Sequence, residues 1–234
     1  MEFLINAKKV ALSLQMAAIV LTAAHIAGAI STYMLGHDSL FGLIGTFDLN
    51  NENNVPTFFS TFLLVSSAAL LAVIARGSTM ANGYNTSHWR WLSIIFLYLA
   101  VDEDASLHEL LIEPVRDILN TGGLLFFAWV IPYALAVLTI GFLYLGFVLR
   151  LPTRTRRLFI AAGCIFLTGA IGFELVGGWY LERQAETENF TYAMLIAGEE
   201  FLEMSGVILF IYALLDFLSD QLKGGSLRIL IHSR

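Results

Sequence analysis

Six stretches of the chain are apolar for long enough to cross a lipid bilayer. They cover roughly residues 9–35, 56–76, 89–113, 123–150, 157–180 and 192–218. A helix needs about 20 residues to traverse a hydrocarbon layer of ~30 Å. The pattern predicts an all-α fold, a polytopic transmembrane helical bundle of about six spans. Residues 1–234 are read as a single integral membrane domain. Connections are short except for 36–55, "GHDSLFGLIGTFDLNNENNV". Pro56 suits the first turn of the second span, where its missing N–H costs nothing. Pro132 falls inside the fourth stretch and is expected to kink it. Gly172, Gly177, Gly178 and Gly206 are candidate close-packing positions, because small residues let membrane helices approach.

The N-terminal segment imitates a signal peptide, with Lys8 and Lys9 before an apolar run. That run, Val10 to Leu35, exceeds the roughly 7–15 residues of a signal core. It is read as an uncleaved first span. Composition agrees with a membrane protein: 57% of residues are hydrophobic and 14% charged, against about 25% charged in soluble domains. The single cysteine, Cys164, rules out an internal disulfide and any cysteine-built zinc or iron–sulfur site. Nothing in the sequence suggests nucleic-acid binding.

Charge supplies an orientation. In a six-span arrangement eleven of the thirteen lysines and arginines fall on one side, and only Arg116 and Arg183 on the other. Basic residues mark the cytoplasmic side, so both termini are expected in the cytoplasm, and a bacterial inner membrane is the expected location. Sixteen of the nineteen acids lie on the opposite side or in the outer halves of spans. Acids contribute little to insertion, so topology alone does not call for this excess. Solvated loop acids account for part of it.

The rest centres on "WLSIIFLYLAVDEDASLHELLIEPV", Trp91 to Val115. Only eleven uncharged residues precede Asp102, which at a helical rise cover roughly 16 Å. The third span is therefore expected to continue as helix through "DEDASLHELLI" towards Pro114, carrying charged groups to membrane depth. Such groups are costly in lipid, face the bundle interior and mark function. Counted from the basic side, His25, His108, Glu174 and Glu203 lie at similar depths, about 24–27 Å along their helices. Asp104 and His108 share a helical face, as do Glu199 or Glu200 with Glu203. Crowded carboxylates in low dielectric share protons, pair with cations or bind metal.

Carboxylates and imidazoles from facing helices build di-iron and di-manganese sites. This chain lacks their Glu-x-x-His pattern, and a mononuclear zinc, manganese or iron site is equally allowed. The candidate metal ligands are His108, Asp104, Glu109, Glu174, Glu200, Glu203 and His25. Three functions suit such a site: a membrane enzyme using divalent Fe, Mn or Zn on a lipid-soluble substrate, a proton- or cation-coupled transporter, or an accessory subunit of a larger membrane complex. The alternatives to a site are a solvated helix end, a hydrogen-bonded core histidine at His25, and glutamates beginning a shorter sixth span. Trp89, Trp91, Trp179 and Tyr180 are expected in the interfacial belt.

"FDLNNENNVPTFFSTFLL" (Phe47–Leu64) followed by "LAVDEDASLHE" (Leu99–Glu109) resembles a group of uncharacterised bacterial polytopic inner-membrane proteins. In these an acidic "FDL..E...PT" loop precedes a span ending in "LDE...LHE", and a later span carries paired glutamates. The matching positions are Asp48, Glu52, Pro56, Asp102, Glu103, His108, Glu109, Glu199, Glu200 and Glu203. The resemblance implies a membrane bundle of about six spans and brings no activity with it.

Overall fold

The computed structural model describes residues 6–77 and 86–222; Glu2, Lys223, Arg228 and Arg234, counted in the charge reading, lie outside the described residues. Among the described residues the fold is helical, without strands. Helix α1 (Ala7–Leu35) starts where the Asn6 side chain accepts the Lys9 N–H at 3.1 Å, and stops at Gly36 in the left-handed conformation (φ +71°). The long connection that follows holds the short α2 (Leu43–Thr46). Helix α3 (Val55–Gly77) is capped by Asn54, which accepts the Thr57 N–H at 3.2 Å. Pro56 lies in its first turn, as expected.

Helix α4 (Thr86–Ala105) runs back beside α3. It ends well short of Pro114, which corrects the expected continuation. Ser106 takes a left-handed backbone (φ +47°). Asp102, in the last turn, accepts the His108 N–H at 2.8 Å. That side-chain bond gives the backbone an alternative to the next helical turn. A tight turn at Glu109–Leu111 leads into α5 (Ile112–Leu119).

Helix α6 (Val130–Arg150) begins seven residues later than the apolar stretch does. Pro132 therefore sits in its first turn rather than its interior, where no intrahelical N–H is missed, and the expected kink has no cause. Helix α7 (Thr153–Leu167) passes through a π-helical segment, Thr168–Phe173, into α8 (Glu174–Arg183). Helix α9 (Phe190–Leu222) closes the fold.

Among the described residues five helical stretches are long and apolar enough to cross a membrane: Ala7–Leu35, Val55–Gly77, Val130–Arg150, Thr153–Arg183 and Phe190–Gln221. The remaining expected span coincides with α4. It has 20 residues, about 30 Å of helix, but carries polar residues at both ends.

Packing is organised around α9, which contacts α1, α3 and α7, while α6 touches α7 only sparingly. The alternating helix directions gather Arg76, Arg90, Arg150 and Arg154 at one end, the basic end, and the acids of interest at the other. Near the basic end Trp89 is fully buried, 4.9 Å from the Phe147 ring and 5.2 Å from the Phe217 ring. It is a core residue and not part of an interfacial belt, because α4 turns it inward against α9. Arg154 joins α7 to α9 through Asp216 at 2.8 Å.

Candidate functional site

The acidic end of the bundle carries two polar groups joined by an aromatic bridge. The first forms where α4 stops. Asp102 is 6% exposed and uses both carboxylate oxygens. Oδ1 accepts the His108 N–H at 2.8 Å and the Tyr133 hydroxyl at 3.0 Å. Oδ2 lies 3.4 Å from His108 Nδ1. Tyr133 in turn meets the Tyr98 hydroxyl at 2.7 Å. A buried carboxylate so surrounded holds the turn and the imidazole in one geometry.

The second group is made by α8 and α9. Trp129 Nε1–H donates to Glu174 Oε1 at 2.6 Å, and the Trp129 ring lies 4.6 Å from that of His108. Trp129 thus touches both groups. The Glu174 and Glu199 carboxyls interact electrostatically. Glu199 is 8% exposed, and its Oε2 is buried without a partner. Glu200 and Glu203, half-buried on α9, interact electrostatically with Glu103 and Glu174. Ser60 of α3 lies beside Glu103. Five carboxyls from three helices therefore share one region.

The π-helical segment makes this possible. Its wider turn adds a residue between α7 and α8, and such insertions recur at functional sites. Gly169 within it lies so close to α9 that a β-carbon would stand 2.7 Å from the Glu199 carbonyl oxygen and 2.9 Å from Glu203 Cγ. Only glycine permits that approach.

The candidate ligands separate in space. Asp104 is exposed. Glu109 is exposed at the rim, where it and Glu52 line a polar cleft of about 910 Å³ beneath the 42–55 connection. Partial burial raises the Glu52 carboxyl above its ordinary range, and Glu109 adds to that against an opposing contribution from His108. His25 belongs elsewhere. Its Nε2–H donates to the Ala193 carbonyl at 3.0 Å, and its Nδ1 accepts the Leu49 N–H at 3.0 Å. Asp48 Oδ1 stands 3.1 Å from the same Nδ1. His25 thus fastens the long connection to α1 and α9. Burial alone would raise the Asp48 carboxyl, but the neighbouring His25 ring and the bond from the Asn50 N–H outweigh it and hold it below the usual carboxylate range.

Among the described residues no three His, Cys, Asp or Glu side chains form a group able to hold a metal ion. Both nitrogens of His25 are engaged, Nδ1 of His108 faces Asp102, Glu174 Oε1 accepts from Trp129, and Asp104 is exposed. Sequence reasoning missed Trp129, Tyr133, Tyr98 and Ser60. Trp129 and Tyr133 are one helical turn apart at the acidic end, and that shared face was the available signal.

No curated protein and no solved structure matches the chain. A family model described as a domain of unknown function (DUF8692) matches residues 13–218, and over that span, most of its length, the chain belongs to this family.

Proposed function

We propose that this multi-pass membrane protein uses Glu103, Glu174, Glu199, Glu200 and Glu203 to hold and exchange protons near one membrane face, with α4 as a sixth crossing. The observation that carries the reading is Glu199, 8% exposed with its Oε2 buried and without a partner, on the same stretch of α9 as Glu200 and Glu203. Ionised carboxylates so crowded repel, and a buried oxygen without a donor favours a carboxyl that keeps a proton. Arginine does not supply the balancing charge. Arg116 is bound to Glu113 at 2.9 Å and to the Phe126 carbonyl at 2.8 Å. Arg183 lies over the Trp179 ring at 4.3 Å. Protons suit the site better than a metal because the donors do not converge. Asp102, His108 and Tyr133 line the side facing the cleft at Glu52 and Glu109, where protons would exchange with water. The function class is proton-coupled transport, or proton-coupled chemistry on a lipid-soluble reactant.

Infrared spectroscopy of the protein in lipid nanodiscs tests this. Protonated carboxyl bands are expected at neutral pH, shifting in heavy water and losing intensity in Glu199→Gln. Their absence from the wild type would overturn the proposal. Elemental analysis of the same sample belongs beside it. Stoichiometric iron, manganese or zinc, lost in a His108→Ala, Glu203→Ala double variant, would put a metal centre in place of the proton site.

A further inference from the structure

Below the carboxyl cluster, towards the basic end, α4, α6, α7 and α9 leave a cavity of about 370 Å³. Its walls are almost wholly apolar and include Phe96, Ile140, Phe159 and Phe210. The volume is that of a ligand pocket. Apolar cavities of this kind stay dry and admit apolar guests. Its lining residues Ile160 and Cys164 are exposed on α7, which places its opening on a surface that a membrane-crossing α7 turns to lipid. Hydrocarbon, and not water, is the neighbour at that mouth.

The cavity and the carboxyls occupy the same helical faces. On α4, Phe96 and Leu99 line the cavity and Glu103 follows at i+4 from Leu99. On α9, Glu200, Glu203, Val207 and Phe210 lie at successive spacings of three or four residues, and the last two line the cavity. On α3, Ser60 precedes the cavity residue Leu64 by four. One helical turn, about 5 Å, separates dry wall from carboxyl on α4 and α9 and from a hydroxyl on α3. A site with an apolar bottom and an acidic top matches a molecule with a tail and a head.

We infer that the cavity takes the hydrocarbon tail of a lipid-soluble molecule whose uncharged, hydrogen-bond-accepting head, of carbonyl type, meets the carboxyl cluster. An anionic head is disfavoured, since it would stand among acids with no free arginine nearby. The tail site stands on the cavity alone. The head assignment rests on the proton-holding reading, because a carboxyl must keep its proton to donate to a carbonyl.

Cys164, the single cysteine of the chain, lines the mouth and reports occupancy. The experiment follows N-ethylmaleimide labelling of Cys164 in nanodiscs, with pentadecyl methyl ketone or hexadecyl sulfate as probe. The ketone is expected to slow labelling several-fold and saturably, and the sulfate much less. Gly163 gives a blocking variant, since it lines the cavity and a β-carbon there would meet nothing within 4 Å. Gly163→Leu should therefore fold normally and lose the protection. No protection by the ketone in the wild type, or undiminished protection in Gly163→Leu, overturns the tail site. Equal protection by both probes overturns the head assignment. Ketone protection without infrared carboxyl bands would remove the proton reading and leave the tail site standing.

Discussion

At the scale of single residues, Asp102 decides more than its neighbours do. The acidic run offers four carboxylates between Asp102 and Glu109, and spacing alone favoured Asp104 because it shares a face with His108 in an unbroken helix. The helix breaks at Ser106, so that phase relation never forms, and Asp102 meets His108 across the turn instead. Asp102→Ala would leave the His108 N–H without its partner and Tyr133 with Tyr98 alone. The expected cost is on the order of 2 kcal/mol. Asp102→Asn keeps one acceptor oxygen and should cost less than about 1 kcal/mol. Thermal unfolding in detergent measures both, and equal stability of the two variants would contradict the role given to Oδ1 as acceptor. Asp48 yields a pH prediction of opposite location. Its carboxyl is held below the ordinary range in the fold, so its contribution is fully present above the model-peptide value of 3.8 and is lost as pH falls through the lower folded value. Hydrogen exchange at the Leu49 and Asn50 amides should therefore accelerate below about pH 4. In Asp48→Asn that acid-dependent step should vanish, and its persistence would assign the effect to another group.

At the scale of elements, the apolar pattern located the helices because lipid-length runs are hard to mistake. It failed where side chains compete with the backbone. "ASLHELL" is good helix-forming sequence, and nothing in its propensity reveals the Asp102 bond that ends α4. The fourth span likewise looked longer than it is, since apolar residues from Gly123 to Trp129 build a tight turn and the aromatic bridge. Glycine was only partly legible. Gly206 approaches Phe166, where a β-carbon would lie 2.7 Å from the backbone nitrogen, as its small-residue role implies. Gly172 meets nothing closer than Thr168 of its own turn, at 3.7 Å. Gly169, which brings the π-helical segment onto α9, gave no signal because its neighbours in sequence are ordinary. Gly169→Ala should destabilise the protein by about 1–3 kcal/mol through overpacking, outweighing the roughly 1 kcal/mol that alanine gains in a helix. Gly163→Ala, with open space around it, should be neutral or stabilising. Parallel thermal melts decide the matter, and similar melting of both variants would show that the α7–α9 contact yields easily.

At the scale of the whole molecule, α4 determines the topology. Five crossings would place the two ends of the chain on opposite faces; six return them to one. The proposed sixth crossing rests on α4 packing against α3, on Trp89 being buried against α9 near the basic end, and on Asp102 joining the acidic end. The charge asymmetry agrees, since a crossing α4 puts Arg76, Arg90 and Arg150 on the same side as Lys8 and Lys9. Polar ends on a 20-residue helix are no obstacle when those ends lie near the two interfaces and its acids face other helices. Single cysteines introduced at Lys8, Asp104, Arg156 and Glu186 on a Cys164→Ala background separate the arrangements. With a membrane-impermeant maleimide added outside intact cells, Asp104→Cys and Glu186→Cys should label together, and Lys8→Cys and Arg156→Cys only after the membrane is opened. If α4 does not cross, Asp104→Cys behaves like Lys8→Cys, and Glu186→Cys changes sides with it while Arg156→Cys becomes accessible. In both patterns Asp104→Cys and Glu186→Cys share a face, so the reversal of Arg156→Cys relative to Lys8→Cys is the reading that decides the number of crossings, and the carboxyl cluster is tested separately by its infrared bands.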